Sequence, residues 1–131
     1  MQSFTIETGA KEAFLDITAR VAEYVGDAGV TSGICTVYVP HTTAGITINE
    51  NADPDVVRDM LWALNRFVPG GAGYHHREGN SPAHVKASLM GSSVTVPVEE
   101  GRLALGTWQG IYLCEFDGSR RRRVLIQIIG E

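Results

Sequence analysis

From Ser93 onward the chain reads as four strands in succession: Ser93–Val98, Arg102–Leu105, Gly110–Phe116 and Arg122–Ile129. Glu100-Gly101 and Asp117-Gly118 are tight-turn signals between them. Strands joined this closely pair antiparallel, because a parallel pair needs a crossover of a dozen residues or more. Earlier segments fit the same plan. Ser3–Glu7, Phe14–Ile17, Gly33–Pro40 and Gly45–Asn49 are rich in β-branched or aromatic residues.

Two segments break this pattern with helical spacing. Ile17, Val21, Tyr24, Val25 and Ala28 share a face, which predicts a helix over Ala19–Ala28 with Thr18 as its cap and Gly29 as its stop. The second helix starts more sharply, with Asp53 as cap, Pro54 in the first helical position and Asp55 in the first turn. Its apolar stripe is Val56, Val57, Met60, Leu61 and Leu64, and Pro69-Gly70-Gly71 ends it after Phe67. Gly70–Pro82 is a polar, glycine-rich loop; His84–Met90 fits a short helix or a strand equally well. The expected fold is α+β: packed, mostly antiparallel β-sheets with two main helices outside, in one domain over 1–131.

Composition narrows the function. A net charge of −4 argues against a general nucleic-acid binder, whose footprint is basic. No apolar run approaches a membrane span, and Met1-Gln2-Ser3-Phe4 lacks the basic-then-apolar start of a signal peptide. Cys35 and Cys114 lie far apart in strand-like sequence, as two buried, reduced thiols of a cytoplasmic protein would. Arg120-Arg121-Arg122-Arg123 is the one basic run. On a strand its members alternate between faces, so all four cannot meet one partner. The plain reading is a solvated strand entry; the sharper one is that one or two arginines hold a phosphate or carboxylate.

The chemistry-bearing residues gather at strand ends and loops. His41 follows a strand, His75 and His76 sit in the long loop, and His84 opens the next element. Imidazole is the commonest metal-ligating side chain, and a catalytic zinc ion takes three protein ligands plus water. No short ligand signature accompanies these histidines, so a packed or surface histidine is the alternative at each. Glu50, Asp53 and Asp55 form an acidic segment. Asp53 and Asp55 suit a helix start, whereas Glu50 follows an apolar strand and is the better candidate for a base. Glu78 and Asn80 add polar groups between His76 and His84, and Trp108-Gln109 stand between glycines in a strand-to-strand link.

Several strings closely resemble the YjbQ-type family, also called the secondary thiamine-phosphate synthase family. They are His41-Thr42-Thr43-Ala44-Gly45, Asn49-Glu50-Asn51-Ala52-Asp53-Pro54-Asp55, Tyr74-His75-His76-Arg77-Glu78-Gly79-Asn80, Ala83-His84-Val85-Lys86-Ala87-Ser88-Leu89 and Leu105-Gly106-Thr107-Trp108-Gln109-Gly110. The likeness runs from about Phe4 to Glu131. It implies a homotrimer with a polar cleft for a divalent metal such as zinc, ligated by His41, His76 and His84. His75 falls on a variable motif position and is set aside. Glu50, Asp53 and Glu78 fall on motif positions and are the expected catalytic acids. Trp108, Gln109 and Asn80 are the expected substrate-binding residues. The implied activity joins an aminopyrimidine pyrophosphate to a thiazole phosphate and releases pyrophosphate; Arg102 and Arg120–Arg123 are candidates to stabilise that leaving group. The alternative is a non-catalytic trimer that binds a metal or small ligand.

Overall fold

The computed structural model describes residues 1–71 and 73–131. Its elements run β1 (Gln2–Glu7), β2 (Ala13–Asp16), α1 (Thr18–Ala28), β3 (Ser32–Tyr38), β4 (Ala44–Glu50), α2 (Pro54–Phe67), α3 (Ser81–Met90), β5 (Ser93–Glu99), β6 (Arg102–Leu103), β7 (Gln109–Glu115) and β8 (Arg121–Gly130). A five-stranded sheet has the order β1-β8-β3-β5-β6, and a three-stranded sheet the order β2-β7-β4. Every strand pairing between described residues is antiparallel. The architecture is therefore α+β, with three helices rather than two.

The strand β7 shows how the layers are built. Ile111 and Leu113 enter the core between the sheets, with Val37, Val96, Val124 and Ile126 from the large sheet. Tyr112 and Cys114 point the other way and pack with Leu64, Ala83 and Ala87 of α2 and α3. A central strand covered on both faces reads as a continuous apolar run, and Ile111–Cys114 is that run, with the charged Glu115 just beyond it. The helix α1 adds Val21 and Val25 to the inter-sheet core. Cys35 and Cys114 are free and buried, and burial pushes the Cys35 thiol up to about 11.

Four local expectations need revision. Asp117-Gly118 does not join a hairpin, because the chain crosses there from β7 in the small sheet to β8 in the large one. Thr18 does not cap α1: it is the first helical residue, and its amide and hydroxyl both donate to Asp16 Oδ1, at 2.9 and 2.6 Å. Its hydroxyl oxygen instead accepts from the Ile111 amide, tying α1 to β7. Asp53 does cap α2, accepting from the Asp55 amide at 2.9 Å, but of the expected stripe only Leu64 is buried. The undecided segment before Met90 is α3, a helix that buries Lys86 and exposes Val85 and Leu89. Its inward face mixes Lys86 with Ala83 and Ala87 while the larger Val85 and Leu89 face out, so the apolar spacing carried no helical signal. Among the described residues no helix is long and apolar enough to cross a membrane.

Candidate functional site

The inward positions of β7 and β8 end in charge. After Ile111 and Leu113 the next inward residue of β7 is Glu115, fully buried; before Val124 and Ile126 the inward residue of β8 is Arg122, 4% exposed. They meet between the sheets. Arg122 Nε donates to Glu115 Oε1 at 2.8 Å, and Nη2 donates to Glu115 Oε2 and, at 2.9 Å, to the Thr43 hydroxyl. Thr8 donates to Glu115 Oε1 at 2.7 Å, and the Asp117 amide to Oε2 at 3.0 Å. Burial opposes ionisation of Glu115, but these donors outweigh it and hold the carboxyl below its usual value. A charged pair this deep is tolerable because both carboxylate oxygens of Glu115 and the Nε and Nη2 donors of Arg122 have partners.

This pair lies beneath an open cleft of ≈ 430 Å³. His41, His76 and His84 all line it, with Arg120, Arg122, Glu78 and Asn80. His41 is placed by the strand β3 running out. Tyr38 pairs with Leu125, so two residues further on Pro40 would stand opposite Arg123. Proline ends the ladder, and the next side chain takes over: the Arg123 amide donates to His41 Nε2 at 2.8 Å. Burial, and then the Arg122 guanidinium, hold the His41 pKa below its usual value. His76 and His84 come from either side of the α3 start and meet edge to face, ring centroids 5.4 Å apart. His76 Nε2 lies 3.9 Å from Glu78 Oε1.

Arg120 leans on Asp117, donating from Nε to its carbonyl at 2.8 Å and from Nη2 to its carboxylate at 3.0 Å. The same carboxylate oxygen accepts from Asn80 Nδ2 at 2.8 Å. Burial opposes ionisation of Asp117, yet these two donors prevail and its pKa is lowered. Because a carboxylate can only accept, this contact fixes which end of the Asn80 amide is nitrogen. Both guanidinium groups thus hold an internal carboxylate. What they offer the cleft is unspent N–H donors, since neither Nη1 has a hydrogen-bond partner among the described residues.

Other expected residues lie elsewhere. Ala44 stands opposite Glu115 at the cleft end of β4, and Glu50 stands opposite Gln109 at the far end, about 20 Å along a seven-residue strand. Gln109 Oε1 accepts from the Gly106 amide at 2.8 Å, closing its own turn, and Trp108 is exposed. Asp53 caps its helix. In this chain, then, Glu50, Asp53, Trp108 and Gln109 do not join the histidines. Arg102 pairs with Glu99 at a sheet edge and does not line the cleft either. The arginine run splits as strand alternation requires: Arg121 and Arg123 face solvent, and Arg122 faces inward. Glu115 carries a signal of its own in the sequence: Ile111, Leu113 and Glu115 share a strand face, and a charge there implies a buried partner.

Three-imidazole metal ligation does not fit this geometry. The Nε2 lone pair of His41 is committed to a backbone N–H, and among the described residues no group of three His, Cys, Asp or Glu side chains is placed to hold an ion. The arrangement suits an oxyanion better, because donors from several segments face one space.

Comparison with known proteins agrees along the whole chain. Residues 2–131 match the family model described as UPF0047 protein YjbQ-like. The UPF0047 protein YugU of Bacillus subtilis is 50% identical over 131 residues, covering 99% of each chain. A UPF0047 protein of Methanocaldococcus jannaschii is 48% identical over 128 residues, covering 98% of this chain and 93% of the relative. Among solved structures, an uncharacterized YjbQ/UPF0047-family protein of Clostridium acetobutylicum superposes with a TM-score of 0.96 at 53% identity. That match covers 98% of this chain and 100% of the other. A protein of unknown function from Sulfolobus solfataricus gives 0.95 at 34% identity, covering 99% and 96%.

Proposed function

The chain belongs to the UPF0047, YjbQ-like family, and from that premise we propose that it binds and acts on a small phosphorylated substrate in the histidine–arginine cleft. The observation that carries this reading is the convergence of Arg120, Arg122, His41, His76 and His84 on one space. Glu78 is the only carboxylate among the residues lining that space. The named candidate reaction is thiamine-phosphate synthesis. There a C–N bond forms to the thiazole phosphate while the C–O bond to pyrophosphate breaks, and pyrophosphate leaves with the electron pair. With pyrophosphate bound in the cleft, the donors lining it would favour that step by stabilising the charge that develops on the departing oxygens. No step in this reading passes through a metal ion.

The test is calorimetric titration of inorganic pyrophosphate into EDTA-treated protein. Saturable binding is expected, weakened about tenfold in Arg120→Ala, the loss for one hydrogen bond to a charged group. Absence of binding at millimolar pyrophosphate would overturn the reading. Turnover of the two phosphorylated substrates, compared with His84→Ala, then separates an enzyme from a binder.

The homotrimeric state implied by the family resemblance is supported by apolar surface. Trp62, Phe67, Leu89 and Trp108 are 64%, 80%, 59% and 63% exposed. Such side chains are common at subunit contacts. Light scattering should give three times the chain mass, and Trp62→Glu should lower it.

A further inference from the structure

His41 differs from the other two imidazoles of the cleft in how its ring is held. Its Nε2 accepts a 2.8 Å hydrogen bond from the Arg123 amide. A backbone amide can only donate, so Nε2 must keep its lone pair. The single proton of a neutral imidazole then sits on Nδ1. Among the described residues no group accepts that proton, and Nδ1 is not one of their buried unpartnered atoms, of which Asn80 Oδ1 is the sole member. The ring therefore lines the cleft with one N–H to spare.

We propose that His41 is a neutral hydrogen-bond donor to the bound ligand through Nδ1–H, positioned by the Arg123 amide, and that it ligates no metal. The identity of the acceptor, an oxyanion, rests on the phosphorylated-substrate reading above. A metal ligand must give a lone pair, and in this tautomer Nδ1 has none while Nε2 has already given its own. The surroundings agree. Desolvation is the largest influence against a second proton on the ring; Arg122 and Arg120 add to it, and together they outweigh the opposing Glu115 carboxylate and the Arg123 contact. A neutral donor needs no countercharge, whereas an imidazolium between two guanidinium groups would.

The test uses the full chain, EDTA-treated, at neutral pH, with the imidazole nitrogens followed by heteronuclear NMR. His41 should show a protonated Nδ1 and a lone-pair Nε2, and equimolar zinc should leave both resonances in place. A proton on Nε2, or a zinc-induced shift of either His41 nitrogen, overturns the assignment. In the second arm, His41→Ala should weaken inorganic pyrophosphate binding about ten- to a hundredfold. His41→Gln, which carries both an acceptor for Arg123 and an N–H, should recover part of that loss. Unchanged affinity in a folded His41→Ala variant overturns the donor role. Failure of the wild type to bind pyrophosphate overturns the functional reading instead, and the ligand-free ring spectrum then decides the His41 assignment separately.

Discussion

Two cavities of nearly equal size, ≈ 420 and ≈ 430 Å³, share Glu78 and Asn80 as a common wall and handle their buried cations in opposite ways. In the first, the Lys86 ammonium donates to Glu12 at 2.7 Å and to Asn65 at 2.5 Å, and only 6% of its side chain is exposed. Its charge is matched within the cavity wall. In the second, Arg122 is held from below by Glu115 and Thr43, all its bonded donors pointing into the sandwich. A cation enclosed by its partners belongs to the architecture. One whose partners all lie on a single side keeps donors for something else, and the imidazoles add theirs to the same space.

The comparison can be broken at several points. Glu115→Ala should have the largest effect, about 3–5 kcal/mol of stability, because it leaves Arg122 buried and uncompensated. Denaturant unfolding measures this; a cost under about 1 kcal/mol would mean that the pair contributes little to the fold. Lys86→Ala should cost about 1–2 kcal/mol, the lower range because Glu12 is partly solvated, and leave pyrophosphate affinity unchanged. A parallel loss of affinity would erase the distinction between the cavities. Arg120→Ala should do the reverse, with stability changed by no more than about 0.5 kcal/mol at this half-exposed site and binding weakened.

Acid should sharpen the contrast by a smaller amount. The Glu115 carboxyl is lowered in the native state, so over that interval the unfolded chain binds more protons. Its stabilising contribution is complete above the ordinary glutamate value and fades as pH falls through the lower native one. The wild type should therefore lose stability on acidification more steeply than Glu115→Gln, as urea midpoints at a series of pH values would show. Equal slopes would place the acid sensitivity elsewhere.

Much of the scaffold was legible before any coordinates. The strand boundaries, the Asp53 cap and the Gly29 stop depend on residues within one turn or one strand, so their signals are local. The arginine run was also legible as alternation, and β8 obeys it. The helix α3 was not, because its inward face carries Lys86, whose partners Glu12 and Asn65 are 74 and 21 residues away. Within one chain Glu50 and Asp53 lie apart from the histidines for a related reason. Neighbouring motifs in sequence occupy opposite ends of one strand, and β4 is long enough to part them.

Periodicity, capping residues and charge thus settled the class of fold, most of its elements and the set of side chains worth watching, since each depends on short-range sterics and solvent preference. The protonation pattern of His41 did not follow from any of these. It is set by an amide 82 residues away, where Pro40 ends a ladder, above a buried ion pair that joins the two sheets. Such contacts exist only once the sheets have packed, because nothing local in the chain prefers them.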